Sequence, residues 1–340
     1  MIHSEKRATI HDVAAMSGVS ITTVSRVIND NYPVNVVTKK RVNEAIEALG
    51  YRPNLLARSL IRDKTQTIGI LVPSIENLFF SEVIKAIDGY LSNLDYRTFL
   101  CQTGGNPLGE ETMVDSLLNR SVDGIVVVDP RTKLIKSGFY EGLTRRIPLV
   151  LINGYNQGIR CNFIINNELA GTTQALEHLV LQGHKHIGFM RGKKSYSYDI
   201  KEAMYVDFMN KHQLEIDDMH LFQLPGGNDL ETVKLAKESI TQLFSNSTNM
   251  TAILCCNDFM AIGALNGAKT IGLSVPGGLS IIGYDNTLIS QISEPPLTTV
   301  DHHMSELGDA AARRMVELIS SKSAEYKKIV INTDLIVRGT

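Results

Sequence analysis

No apolar run in this 340-residue chain is long enough to cross a bilayer. The longest, such as Ile68 to Pro73 and Gly124 to Val128, are strand-sized, which argues against a helical membrane protein. The first residues read MIHSEKRATIHDV, charged and without an apolar core, so no secretory signal is expected and the expected location is cytoplasmic. Cysteine is scarce. Cys101, Cys161, Cys255 and Cys256 show no C-x-x-C spacing, and three of them sit in apolar strand-like runs, so they read as small buried hydrophobes, not as a zinc site or a disulfide framework. The usual catalytic signatures are missing as well: there is no G-x-S-x-G elbow, no G-x-G-x-x-G after a strand and no Walker A loop. His178, His184 and His186 cluster around Gly183, where a helix should end, and read as solvated turn histidines before metal ligands. No enzyme activity, cofactor or metal is therefore expected.

What is present is an ordinary soluble composition, 43% hydrophobic and 21% charged, in a chain long enough for a small domain and a larger one. Charge is unevenly spread. The net charge is −2, yet the first 64 residues carry ten Lys/Arg against six acids, leaving −6 for the remainder. A basic head on an acidic body suits a polyanion-binding module joined to something else.

Residues 1–50 read as three short helices. Thr9 with Asp12 forms a capping-box-like start, and Gly18 stops the first helix. Ser20 caps the second, in which Val24, Val27 and Ile28 make a buried stripe and Ile21, Thr22, Ser25, Arg26 and Asn29 face outward. Thr38 is the expected cap of the third, with Val42, Ala45, Ile46 and Leu49 on its apolar face. Two short helices joined by a glycine turn and closed by a third make a helix-turn-helix, which places the second helix in the major groove. There Thr22 and Arg26, one turn apart, reach base edges; Arg suits guanine, and an exposed Ile21 suits a thymine methyl. Ser17, Ser20, Ser25, Asn29 and Lys39 are placed for phosphates. Residues 51–65 combine a Pro break, an Asn54 cap and a short helix with Leu56 and Leu60 at i, i+4, which is marginal alone and needs a partner.

From residue 66 to 340, strand-like runs alternate with helical patterns: Ile68–Val72, Arg97–Cys101, Gly124–Val128, Leu149–Ile152, Ile187–Met190, Ala252–Cys255 and Ser280–Gly283. Such alternation implies parallel sheets covered by helices, enough for two sheets, with ligands bound beyond the carboxyl ends of the strands. The residues there are polar. Asn77 and Asp258 read first as helix caps, whereas Asn257 and Asp285 read as ligand-facing, the latter ending the buried run IIGYDN with a carboxylate.

The segment ATIHDVAAMSGVSITTVSRVIN, followed by GYRPNLLARSL, resembles the head and hinge of the LacI/GalR family of bacterial transcription regulators, and NLFF, GHKHIGFMRG, CNDFMAIGAL and IIGYDN with PPLTTV extend the likeness. The resemblance implies a helix-turn-helix head on a two-lobed, periplasmic-binding-protein-like α/β sensor. It implies hinge contacts to DNA at Asn54, Ala57 and Leu60, with Leu60 wedged into the minor groove. It implies effector contacts at Ser74, Phe80, Asn153, Asn228, Asn257 and Asp285, and lobes of about 66–164 with 295–324 and about 165–294 with 325–340. The expected partners are a second copy of the chain, a near-palindromic operator and a small effector, either inducer or corepressor. A sugar or sugar acid is favoured because Asn, Asp and Ser groups stand beside aromatic Phe80. Where the family places an effector-clamping arginine this chain has Met204; Lys201, one turn earlier, is the expected contact to an acidic or phosphorylated sugar. The competing readings are a cytoplasmic sugar-binding protein and an α/β enzyme without a DNA role.

Overall fold

The computed structural model describes residues 8–29, 32–51, 64–193, 195–321 and 325–340. The chain divides into two compact units, Met1–Thr65 and Gln66–Thr340. Asn54, Ala57 and Leu60 lie outside the described residues.

The first unit holds α1 (Ile10–Ser17), α2 (Ile21–Asn29) and α3 (Val36–Ala48). Thr9 and Asp12 do form a reciprocal capping box, with the Thr9 amide donating to the Asp12 carboxylate at 2.8 Å, and Gly18 ends α1 at φ +66°. Ser20 starts α2 by accepting from the Thr23 amide at 3.2 Å. The third helix begins earlier than Thr38: the Asn35 side chain accepts from the Val37 amide at 2.9 Å, so Asn35 is the cap. Val13, Val24 and Val42, one from each helix, are fully buried and pack with Ala14, Val27 and Ala45. Burying a side chain of this kind contributes about 1.5–3 kcal/mol, which explains how so small a core holds three helices.

The second unit opens with β1 (Thr67–Val72), α4 (Leu78–Ser92), β2 (Arg97–Gln102), α5 (Pro107–Asn119), β3 (Gly124–Val128), α6 (Thr132–Lys136), α7 (Phe139–Thr144), β4 (Leu149–Ile152) and β5 (Asn162–Asn166). The chain then crosses to α8 (Glu168–Leu181), β6 (Ile187–Gly192), α9 (Tyr196–Lys211), β7 (Leu221–Leu224), α10 (Leu230–Ser245), β8 (Ala252–Cys255), α11 (Asp258–Thr270), β9 (Ser280–Asp285), α12 (Leu288–Ile292) and β10 (Thr298–Asp301). It returns through α13 (Met304–Ser320) and β11 (Lys328–Ile331), and ends with β12 (Asp334–Ile336).

These strands make two six-stranded sheets, ordered β11-β5-β4-β3-β1-β2 and β12-β10-β9-β8-β6-β7, parallel throughout except for the antiparallel β10–β12 pair. Each sheet is the core of one lobe. In the first lobe, α13 lies so close to α4 that a Cβ at Gly308 would stand 2.6 Å from the Ala86 Cβ. Only glycine permits that approach without displacement.

The lobe boundaries differ from those expected. Residues Thr298–Asp301 pair with β9 and belong to the second sheet, and Lys328–Ile331 pair with β5 and belong to the first. The first return to the N-terminal lobe therefore falls at 302–303, not near 295. Thr298 and Thr299 are fully buried, but their hydroxyls donate to the Thr340 carbonyl at 3.0 Å and to Asp258 at 2.7 Å, so a threonine pair that reads as polar forms an internal strand. Among the described residues no helix is long and apolar enough to cross a membrane.

Candidate functional site

In the first unit, Ile21, Thr22 and Arg26 are exposed on α2, Ile21 at 41%. The Arg26 guanidinium lies 5.1 Å from the Tyr32 ring centroid, a cation–π contact that restrains but does not bury it. Ser20 is exposed and Ser25 half-buried; Asn29 is the last residue of α2. Ser17 does not fit a phosphate contact. It is buried, and its hydroxyl donates to the Val13 carbonyl at 2.6 Å, the local back-bonding open to a serine in the last turn of a helix.

In the second unit, an open cleft with about 390 Å³ of space, continuous with solvent, lies between the lobes at the carboxyl ends of the strands. Six of the seven residues expected to meet an effector line it: Phe80, Asn153, Lys201, Asn228, Asn257 and Asp285. Ser74 does not; its hydroxyl accepts from the Glu76 amide at 3.1 Å and shapes the turn after β1. Asp129, Asn153 and Asp285 follow or end β3, β4 and β9 with φ of +52°, +65° and +105°. Left-handed backbone at non-glycine residues costs free energy, and three such residues facing one cleft are backbone set for position.

Asn257 both caps and faces the cleft. Its Oδ1 accepts from the Met260 amide at 2.9 Å, while its Nδ2 donates to Asn228 Oδ1 at 2.7 Å and to the Tyr198 hydroxyl at 2.9 Å. Asp258, the expected cap, is instead the first residue of α11 and lies buried beneath the cleft, accepting from the amide and hydroxyl of Thr287 at 2.7 Å each. Burial, then the neighbouring Asp285 carboxylate, push its own carboxyl up to about 7. A Cβ at Gly227 would sit 2.8 Å from the Tyr198 hydroxyl, so glycine there keeps that ring seated in the wall.

Sequence reasoning missed Phe79, Asp129, Tyr198, Cys256 and His302, all of which line the cleft. Asp129 was within reach, because it follows a recognised strand. His302 was not, because the strand before it went unrecognised. It lies on the second crossover, with Nδ1 at 3.0 Å from Asp285 and Nε2 at 3.3 Å from Glu168, and with the Phe79 and Tyr284 rings packed against it at centroid distances of 5.4 and 4.7 Å. Asn166 Nδ2 donates to the His302 carbonyl at 2.7 Å, and Thr333 Oγ1 donates to the Asn167 carbonyl at 2.8 Å, so the three crossovers are bonded to one another.

Lys201 differs most from expectation. It is 2% exposed; its ammonium donates to the Cys256 carbonyl at 3.2 Å, stands 3.7 Å from Glu168 and lies 3.5 Å from the Tyr284 ring centroid. Its charge is matched inside the protein. Burial alone would raise the Glu168 carboxyl, but Lys201, His302 and the 2.7 Å bond from Ser197 hold it well below the usual carboxylate range. Asp129 is likewise paired with Arg131, and Asp285 with His302. Every charged group lining the cleft thus has an internal partner.

Residues 9–54 match the model of bacterial regulatory proteins, lacI family, and residues 176–340 match that of the periplasmic binding protein-like domain. The HTH-type transcriptional repressor PurR of Mannheimia succiniciproducens is 34% identical over 338 residues, covering 97% of this chain and 98% of that protein. The repressor of the same name from Vibrio campbellii is 34% identical over 337 residues, at 98% of each. Among solved structures, the lac repressor dimer bound to operator and the anti-inducer ONPF superposes with a TM-score of 0.88 at 26% identity, covering 98% of this chain and 99% of that one. The transcriptional regulator CelR in complex with cellobiose shares the fold, with a TM-score of 0.70 at 24% identity and 98% and 99% coverage.

Proposed function

Because the chain belongs to the LacI family of bacterial regulatory proteins, DNA-binding transcriptional repressors with an effector-binding domain, we propose that it works as a homodimer on a near-palindromic operator and is controlled by a small sugar bound in the cleft. Ile21, Thr22 and Arg26 read bases in each half-site; Ser20, Ser25 and Asn29 contact phosphates. Asn54, Ala57 and Leu60 complete the DNA contacts in this reading.

The observation that carries the effector reading is the convergence of Phe80 and Asn153 from the first lobe with Asn228, Asn257 and Asp285 from the second on one cleft floored by crossover residue His302. Carboxamides and a carboxylate suit hydroxyls, and the Phe79–Phe80 pair offers an apolar wall for a sugar face. The internal pairing of Lys201, Asp129 and Asp285 supports the neutral sugar over its acid. The name PurR carried by the relatives brings in a purine base as the competing ligand class. The test is a thermal-shift screen of neutral sugars, sugar acids and purine bases against the intact protein, followed by operator binding with each hit. Stabilisation by a neutral sugar that also changes operator affinity supports the proposal; a response to purines alone assigns the cleft to a base.

A further inference from the structure

Positive charge is concentrated in one stretch of the sensor. Residues 131–160 carry Arg131, Lys133, Lys136, Arg145, Arg146 and Arg160 against the single acid Glu141, inside a body whose net charge is −6. Arg145 and Arg146 follow α7 and lead into β4, and Arg160 leads into β5, so the fold gathers these three at the starting end of the first sheet, away from the effector cleft. The two strands are hydrogen-bonded neighbours, about 5 Å apart. Arg120 stands at the same end, before β3 on the other side of β4. The sheet's first strand, β1, also starts here, where the chain enters from the unit Met1–Thr65.

All four arginines are exposed, and among the described residues no carboxylate stands within ion-pairing distance of their guanidiniums. The acids nearby are turned to other groups. Glu141 accepts from the Arg160 amide at 3.0 Å, Asp123 accepts from the Gln66 amide at 2.8 Å, and Glu317 is held by Lys327 at 2.6 Å and Arg314 at 2.8 Å. Asp95 and Glu325 precede β2 and β11, not β4 or β5. A helix C-terminus accounts for Arg120 and Arg145, which cap α5 and α7. It does not account for Arg146 beside Arg145, nor for Arg160, which precedes a strand. Like charges set side by side repel, and an anion bound across them relieves that repulsion.

We propose that this end of the first lobe is an accessory surface that contacts the phosphates of duplex DNA through Arg145, Arg146 and Arg160, with Arg120 beside them. A guanidinium is a planar, weakly hydrated fork that matches two phosphate oxygens, so arginine suits the task better than lysine. The rest of the acidic body repels a polyanion, which leaves this end as its approach to the sensor. Such contacts carry no base information. They add affinity for any duplex and leave the choice of sequence to the head.

The test is the salt dependence of binding by the full-length protein to a labelled random-sequence duplex of about 40 base pairs, between about 50 and 200 mM salt. Each phosphate contact adds about 0.9 to the slope of log affinity against log salt, so Arg145→Gln with Arg146→Gln should lower the slope by about 2 and weaken binding at the lowest salt on the order of tenfold. Arg160→Gln should lower it by about 1 more. Lys133→Gln with Lys136→Gln removes the same charge from exposed positions on α6, just past the carboxyl end of β3, and should change the slope by less than about 0.5. Arg145→Lys with Arg146→Lys should keep most of the slope, because an ammonium still meets a phosphate as a point charge. The proposal is overturned if the arginine and lysine pairs lower the slope equally, which would assign the effect to overall charge, if the Arg145 and Arg146 changes leave it unaltered, or if the lysine replacements fail as the glutamines do.

Discussion

Asp285 and His302 meet at 3.0 Å, Oδ1 to Nδ1, joining the end of a second-lobe strand to the crossover that returns the chain to the first lobe. The carboxylate that faces the cleft is thus also in ion-pairing contact with a segment that joins the two lobes. In the proposed reading, a ligand hydroxyl on Asp285 would compete directly with His302, and through His302 with Glu168 and Lys201. In that reading, two short polar contacts would link effector binding to lobe geometry, with no long relay of packing shifts required.

Removing His302 should change the pH dependence of stability. Burial disfavours the imidazolium, but the Glu168 carboxylate and the bond to Asp285 raise its pKa above the ordinary value near 6.5. A raised histidine pKa gives stability that is fully present below the unfolded value and is lost as pH rises through the folded one. Burial also raises Asp258 and Glu110 to about 7, and these two lower stability between roughly pH 4 and 7; above 7 the loss is shared by His302 and His303, whose pKa the bond to Asp334 raises against burial, so the difference between parent and variant reads His302. Calorimetry should show the melting temperature of the sensor falling as pH rises above 7, with a flatter slope in His302→Gln. An unchanged slope would remove the charged imidazole from the hinge.

Breaking the Lys201–Glu168 pair from one side should be costly. Lys201→Met leaves Glu168 buried with a single cationic neighbour, and the loss should be about 3–5 kcal/mol in urea denaturation. Adding Glu168→Gln should recover part of that loss. If the double variant is less stable than Lys201→Met by the full cost of a second independent substitution, the two residues are not coupled.

Much of this was legible from sequence where local rules apply. The capping box at Thr9, the stop at Gly18 and the buried Val24 follow from patterns within one turn, and the two parallel sheets follow from alternating apolar runs. The carboxyl-end rule found Asn257 and Asp285, and the family resemblance added Asn153, because their strands are continuous apolar segments. It failed at His302 because Thr298–Asp301 hides an internal strand behind two hydroxyls satisfied from residues 42 and 41 positions away. The burial and pairing of Lys201 were hidden for a similar reason: its partner Glu168 lies in another helix, 33 positions earlier in the numbering, and no local pattern reports such a pair.

Arg26→Ala should cost about 1–3 kcal/mol on the selected operator and relax specificity at one base position per half-site. Operators enriched from random DNA, then substituted one base pair at a time, provide the measurement. Equal weakening on every sequence would make Arg26 a phosphate contact.

Asn257→Ala should remove the effector response while leaving operator affinity within about threefold of the parent, because Asn257 lies in the effector cleft of the second unit and not in the helix-turn-helix head. Anisotropy with labelled operator, with and without the sugar found by screening, reads both quantities. A normal response would move the site away from Asn257, Asn228 and Tyr198.

The most direct test of the account is thermodynamic. Operator affinity is measured at zero and saturating sugar, and sugar affinity is measured with and without saturating operator, all on the intact protein. Linkage requires the two ratios to be equal, and the account predicts a common factor of about 5–150, of either sign. A sugar that occupies the cleft yet leaves operator affinity unchanged, so that both ratios are one, would contradict it.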